Sequence, residues 1–153
     1  MLRHPRSRRN LDSLSQVRVY HEPVMPITDA GRAKRPLGVI DYTLAKRALI
    51  RRARSGMLST FEICDAHPEL LRAAKHVGEP ATSDCPVCGK HELMLLAYVY
   101  ADGLRTNSGR VWSLNTALQM TSQFPDASCY VVEVCTACQW NHLTEAFVAR
   151  NAG

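Results

Sequence analysis

Apolar residues recur at helical spacing between residues 41 and 77, in three short runs. The runs predict helices over about 42–54, 60–64 and 68–76. Asp41 can cap the first helix, Ser59 and Glu62 have capping-box spacing at the second, and Pro68 suits the first position of the third. The apolar stripes of the first and third helices comprise Leu44, Ala45, Ala48 and Leu49, and Leu70, Leu71 and Ala74.

After Gly78 the pattern changes to continuous apolar runs, which are typical of buried strands. Three strands are predicted, over Leu93–Ala101, Arg110–Trp112 and Cys129–Val134. Ser113 can cap a further short helix that Pro125 ends. Short helices followed by strands indicate an α+β fold, with short N-terminal helices preceding a small antiparallel sheet.

Four of the six cysteines form two Cys-x-x-Cys pairs, Cys85 with Cys88 and Cys135 with Cys138. Such a turn can place two sulfurs about 2.3 Å from a shared metal ion. A predicted strand leaves the first pair and another enters the second, so both turns can meet at one end of a sheet. This arrangement predicts a zinc-ribbon-like domain that holds one Zn²⁺, with iron, a thioredoxin-like redox pair and disulfides as weaker alternatives.

Four thiolates would fill the zinc tetrahedron, whereas catalytic zinc usually keeps one position open. We therefore expect a structural ion, whose removal should unfold residues 80–150. His91 and His142 each follow a cysteine pair and are alternative ligands, although a hydrogen-bonding or surface role is favoured for both. Cys64 is expected to be a small core residue, and Cys129 to have a core role or a position outside the ligand shell rather than to bind the ion.

The charge is distributed unevenly along the chain. Residues 1–54 hold 13 Lys or Arg and 4 Asp or Glu, a formal charge of +9, and the other 99 residues have a formal charge of −4. Residues 1–38 read as a basic disordered arm, 39–78 as a short helical module and 79–150 as the zinc-ribbon-like domain. The basic residues of the first predicted helix are candidates for nucleic-acid binding, although a solvated helix face explains them equally well. They are Lys46, Arg47, Arg51, Arg52 and Arg54.

No apolar segment follows the basic N-terminus, so the sequence predicts neither a secretory signal nor a membrane span. We expect a cytoplasmic protein, in a compartment where disulfides are rare. No phosphate-binding loop, nucleophile elbow or zinc-protease helix is found, which disfavours an enzyme, and no small-molecule substrate is evident.

Several segments together resemble an uncharacterised family of small actinobacterial proteins, over roughly residues 37–150. They are Asp41-Tyr42, Glu62-Ile63-Cys64-Asp65-Ala66, Leu70-Leu71-Arg72-Ala73-Ala74-Lys75, Cys85-Pro86-Val87-Cys88, Val131-Val132-Glu133-Val134-Cys135 and Cys138-x-Trp140-Asn141-His142-Leu143. The resemblance implies a bacterial cytoplasm and leaves the N-terminal arm outside the family pattern. It implies no particular activity.

The pattern as a whole predicts a non-enzymatic zinc-ribbon protein that binds a macromolecular partner, such as nucleic acid or the transcription or translation machinery. This expectation rests on fold-level analogy. The alternatives are a metal-dependent protein-interaction module that binds no nucleic acid, and an enzyme whose site is not visible in the sequence.

Overall fold

The computed structural model describes residues 37–148, with side chains described for residues 38–147. The predicted basic arm, residues 1–38, lies outside this range except for its last two residues. The predicted boundary between the helical module and the zinc-ribbon-like domain stays a prediction. None of the helices in the described part of the chain is long and apolar enough to cross a membrane.

One antiparallel sheet forms the centre of the fold. Its strands are β1 Leu37–Asp41, β2 Glu79–Pro80, β3 Leu93–Tyr100, β4 Arg110–Ser113, β5 Ser128–Cys135 and β6 Asn141–Val148. The strand order is β1-β6-β5-β3-β2, and β4 also pairs with β3. The ladder between β3 and β5 is continuous, from Leu93 opposite Cys135 to Tyr100 opposite Ser128.

Four helices and one 3₁₀ segment accompany the sheet. They are α1 Thr43–Arg54, α2 Thr60–Ile63, α3 Pro68–Val77, the 3₁₀ segment Asp102–Asn107 and α4 Leu114–Gln123. The structure confirms the α+β class, with short helices preceding most of an antiparallel sheet and a cysteine cluster consistent with a zinc ribbon.

The two faces of the sheet carry different helices, because side chains alternate along each strand. Leu95 of β3 packs in the same cluster as Ile50 of α1, and Val99 packs with α4, so α1 and α4 cover one face. Leu96, which points the other way, packs against Ala74 of α3. We call these the α1/α4 face and the α3 face.

Most predicted element boundaries agree with the structure to within about two residues. α4 begins after Ser113, whose hydroxyl accepts from Thr116 N–H at 3.2 Å, as its capping role predicts. The first helix begins one residue later than expected, with Tyr42 at the N-cap position. Asp41 still satisfies a free donor there, because its carboxylate accepts from Thr43 N–H at 2.6 Å.

The apolar stripe of α1 was predicted only in part, since Leu49 faces the core but Leu44 and Ala45 are exposed. Leu44 is 77% exposed, whereas Ile50 is buried and Leu49 and Ala53 pack beside it. The helix is rotated so that Lys46 points inward, toward Glu133 of β5. This partly buried ion pair accompanies the packing of Ile50, and apolar periodicity alone could not predict it.

Candidate metal centre

Two backbone turns of the same geometry present the four predicted cysteines. In the first turn Gly89 N–H donates to Cys85 O at 2.9 Å, and in the second Gln139 N–H donates to Cys135 O at 3.0 Å. The residue after each pair lies in the left-handed region, with φ of 70° at Gly89 and 68° at Gln139. We call these turns the first and second knuckle.

The sheet brings the two knuckles together. The first knuckle leads into β3 and the second follows β5, and these strands are antiparallel with Leu93 opposite Cys135. The end of β3 next to the first knuckle therefore lies beside the end of β5 next to the second. A further bond from Thr136 N–H to Glu92 O, at 3.1 Å, continues the contact beyond the ladder.

The four thiol sulfurs form a compact cluster that could hold one metal ion. They all lie within 4.8 Å of one another. Cys85 Sγ is 3.6 Å from Cys138 Sγ, and Cys88 Sγ is 3.7 Å from Cys135 Sγ. A tetrahedron with metal–sulfur bonds of about 2.3 Å has sulfur–sulfur edges of roughly 3.8 Å. The spacing and the all-sulfur donor set therefore fit a tetrahedral ion such as zinc.

The surroundings of the thiols bear on how a cation would bind. Burial raises the pKa of Cys85 to about 11, and burial also raises the pKa of Cys138. Burial likewise opposes ionisation of Cys88, but hydrogen bonds from Lys90 N–H and the neighbouring thiols outweigh it and lower its pKa. Without a cation, Cys85 and Cys138 are thiols at neutral pH, so a cation must displace protons to bind.

The two candidate histidines lie outside the cluster. His91 is exposed and pairs with Asp84, at 2.8 Å between Nδ1 and Oδ1. The ring of His142 stacks on Trp140, with ring centroids 5.6 Å apart and an angle of 7° between the planes. Among the described residues, only the four cysteines come together as a metal-ligand group.

The two remaining cysteines occupy different environments. Cys129 is fully buried in the core between the sheet and α4, as expected, and burial raises its pKa to about 12. Cys64 is only half-buried, and its Sγ lies 3.9 Å from Cys138 Sγ, at the edge of the cluster. Its position beside the metal centre was not anticipated from the sequence.

The five candidate nucleic-acid-binding residues divide into two groups. Lys46 reaches into the protein, where its ammonium lies 2.9 Å from Glu133 Oε2 and its side chain is only 28% exposed. Arg47, Arg51, Arg52 and Arg54 are exposed. Within residues 37–148, none of these four arginines lies within salt-bridge distance of a carboxylate.

Glu133 is a functional neighbour of the cluster that the sequence analysis missed. It is 3% exposed, and its carboxylate accepts from Trp140 Nε1 at 2.8 Å as well as from Lys46. Trp140 follows the second knuckle directly and packs with Cys85 and Cys135. Glu133 therefore links α1 to the residues around the cysteine cluster. The sequence signal that could have identified Glu133 is its position as a single acidic residue between Val132 and Val134 in a predicted strand.

A family model described as "Family of unknown function (DUF5318)" matches residues 32–153. The chain is 39% identical over 109 residues to the uncharacterised protein Rv0049 of Mycobacterium tuberculosis, covering 71% of this chain and 80% of that protein. The uncharacterised protein Mb0050 of Mycobacterium bovis is similar to the same extent. No solved structure matches the chain. These matches confirm the family resemblance inferred from the sequence.

Proposed function

We propose that this chain, which belongs to the family of unknown function (DUF5318), is a non-enzymatic zinc-ribbon-like protein that docks on nucleic acid. By fold-level analogy, this binding would place the protein on the transcription or translation machinery. In this proposal Zn²⁺ is a structural ion, and the exposed arginines of α1 contact phosphate groups. The protein acts in the cytoplasm, where its cysteines stay reduced.

The observation that carries the proposal is a stripe of three arginines on α1. Arg47, Arg51 and Arg54 are spaced i, i+4 and i+7, so they lie on one side of the helix. With Pro86 of the first knuckle they line a concavity of about 390 Å³. Arg54 Nη2 lies 3.5 Å from Pro86 O, which joins this stripe to the metal centre. Arginine forks suit phosphate oxygens, and these arginines have no carboxylate partner among residues 38–147.

The structural role of zinc follows from the donor set. Four thiolates complete the tetrahedron, so no coordination position remains for a substrate or an activated water. The ion would hold both knuckles, and through Trp140, Glu133 and Lys46 it would fix the orientation of α1. Lys46 accordingly positions the helix and is not one of the proposed phosphate contacts.

The test is binding of labelled RNA and of labelled duplex DNA to the zinc-loaded full chain across a salt series. The variant Arg47→Ala/Arg51→Ala/Arg54→Ala should weaken binding and reduce the salt slope by about 2–3, since each phosphate contact contributes roughly 0.7–0.9 to that slope. The matched control is Arg72→Ala/Lys75→Ala, which removes two exposed basic residues from α3 and should have a smaller effect.

Two results would oppose the proposal. The wild-type chain could fail to bind either nucleic acid at low salt, or the triple variant could keep the wild-type affinity and slope. The second result would mean that the arginines do not bind nucleic acid. Those in the last turn of α1 would then only stabilise the helix, by interacting favourably with its dipole.

The alternative function is protein interaction without nucleic-acid binding, and one observation favours it. A concavity of about 400 Å³ on the α3 face is lined by Tyr98, Tyr100, Tyr130, Val132 and Leu143. Tyr100 and Tyr130 pack edge to face with centroids 5.7 Å apart, and both are partly exposed. Tyrosine is enriched in protein interfaces. If the protein binds no nucleic acid at low salt, protein interaction becomes the favoured function.

A further inference from the structure

A fifth thiol lies beside the four-cysteine cluster without belonging to it. Cys64 directly follows α2, and its Sγ is 3.9 Å from Cys138 Sγ. The cluster itself contains one cysteine pair from each knuckle, and these four already satisfy a tetrahedral ion. Cys64 is therefore the one thiol at the centre that zinc would leave free.

The fold holds Cys64 in this position through several contacts. Ile63 is buried in the same core cluster as Cys85, Cys135 and Trp140. Ala66 N–H donates to Gln139 O at 3.0 Å, and Asn141 Nδ2 donates to Asp65 Oδ1 at 3.0 Å. The segment after α2 thus runs beside the second knuckle and is bonded to Gln139 and Asn141, which both follow Cys138.

Small solutes can reach this pair of sulfurs. Cys64, Cys88 and Cys138 line an open cavity of about 370 Å³, together with Phe61 and Val87. The side of the cluster formed by Cys85 and Cys135 is buried instead. Access from solvent is therefore directed to Cys88 and Cys138, and Cys64 stands next to the second of these.

We propose that Cys64 and Cys138 form an oxidation-sensitive pair, which a peroxide converts into a disulfide with release of the metal ion. The inference rests on the proposed zinc centre. The Cys138 thiolate would attack one peroxide oxygen and break the O–O bond, so that a sulfenic acid forms and water leaves after uptake of one proton. The Cys64 sulfur then attacks the Cys138 sulfur, and the sulfenic oxygen leaves as a second water with the Cys64 proton.

Geometry and metal binding select this pair over the others. A disulfide needs the two sulfurs to approach to about 2.05 Å, a movement of roughly 2 Å from their present separation. Cys85 is slightly closer to Cys138, but zinc engages its thiolate, whereas Cys64 is free. After the reaction only three thiolate ligands remain, so the affinity for zinc falls and the chelator takes up the ion. The disulfide is reducible by thiols, so the loss is reversible.

The experiment treats the zinc-loaded full chain with hydrogen peroxide, follows zinc release with a chromogenic chelator, and maps disulfides by mass spectrometry. Zinc content is measured before oxidation. The variants are Cys64→Ser and the matched control Cys129→Ala, which changes a cysteine in a separate core cluster. After oxidation, dithiothreitol and zinc are added and the regained zinc is measured.

We expect the wild type and Cys129→Ala to form the Cys64–Cys138 disulfide and to regain their zinc on reduction. Cys64→Ser should lose this recovery, because the one neighbouring thiol that zinc leaves free is missing and the Cys138 sulfenic acid proceeds to sulfinic acid. Disulfides confined to the four clustered cysteines, or full recovery in Cys64→Ser, would overturn the inference and leave the zinc centre standing. A chain that holds no zinc at the outset would overturn both.

Discussion

The buried pair of Lys46 and Glu133 should contribute far more to stability than its position on a basic helix suggests. Replacing Lys46 with Met keeps the aliphatic stem and removes the ammonium. Glu133, which is 3% exposed, would then have Trp140 Nε1 as the one remaining donor among those described. Removing one partner of a buried ion pair costs about 3–5 kcal/mol.

The partial exposure of Lys46, 28% for the side chain, lets water reach the pair. We therefore expect a smaller loss, about 2–4 kcal/mol. For a domain of this size, a loss of that order lowers the melting temperature by roughly 10 °C. The assay is thermal unfolding followed by circular dichroism at a fixed free-zinc concentration, since bound metal shifts apparent stability by mass action.

The matched control is Arg72→Ala, which removes a salt bridge to Glu69 whose side chains are 68% and 73% exposed. Exposed pairs contribute about 0–1 kcal/mol, so this variant should barely change the melting temperature. Adding Glu133→Gln to Lys46→Met should recover part of the loss, because no buried charge remains unpaired. If Lys46→Met and Arg72→Ala have the same melting temperature within error, the proposed link between α1 and the metal centre is wrong.

Three further predictions concern the knuckles and the ion. Chelation should unfold the sheet region around residues 80–150, seen as loss of circular dichroism, because structural zinc can contribute on the order of 10–16 kcal/mol of folding energy; unchanged spectra would contradict this. Zinc affinity, measured by competition with a chelator, should fall as pH decreases, because protons compete for the thiols. Gly89→Ala should destabilise by about 1–2 kcal/mol and Gln139→Gly should stabilise by about 1 kcal/mol, since both positions have positive φ; urea titration at fixed zinc would detect a reversed order.

The sequence was most informative where chemistry and local backbone coincide. The spacing of Cys85 with Cys88 and of Cys135 with Cys138, each beside an apolar run, predicted which four thiols come together. The same runs predicted β3 and β5, whose ladder brings the knuckles together. Capping residues such as Ser113 and Pro68 located helix starts, because their effect depends only on nearby backbone groups.

The parts that were missed depend on contacts between distant residues. β6 carries no clean alternation, and a register shift opposite Val131 and Val132 interrupts its pairing with β5. β1 is a short edge strand that exists through its pairing with β6. Lys46 contacts Glu133 across a separation of 87 positions in the sequence. Cys64 approaches Cys138 across a separation of 74 positions. Neither could be read from local spacing.

The central claim is that Cys85, Cys88, Cys135 and Cys138 hold one zinc ion in a closed, all-sulfur site. X-ray absorption at the zinc edge, on protein with a measured metal content, tests it most directly. We predict one zinc per chain with four sulfur neighbours at about 2.3 Å. A shell containing nitrogen or oxygen, or a chain that binds no zinc stoichiometrically, would contradict the account.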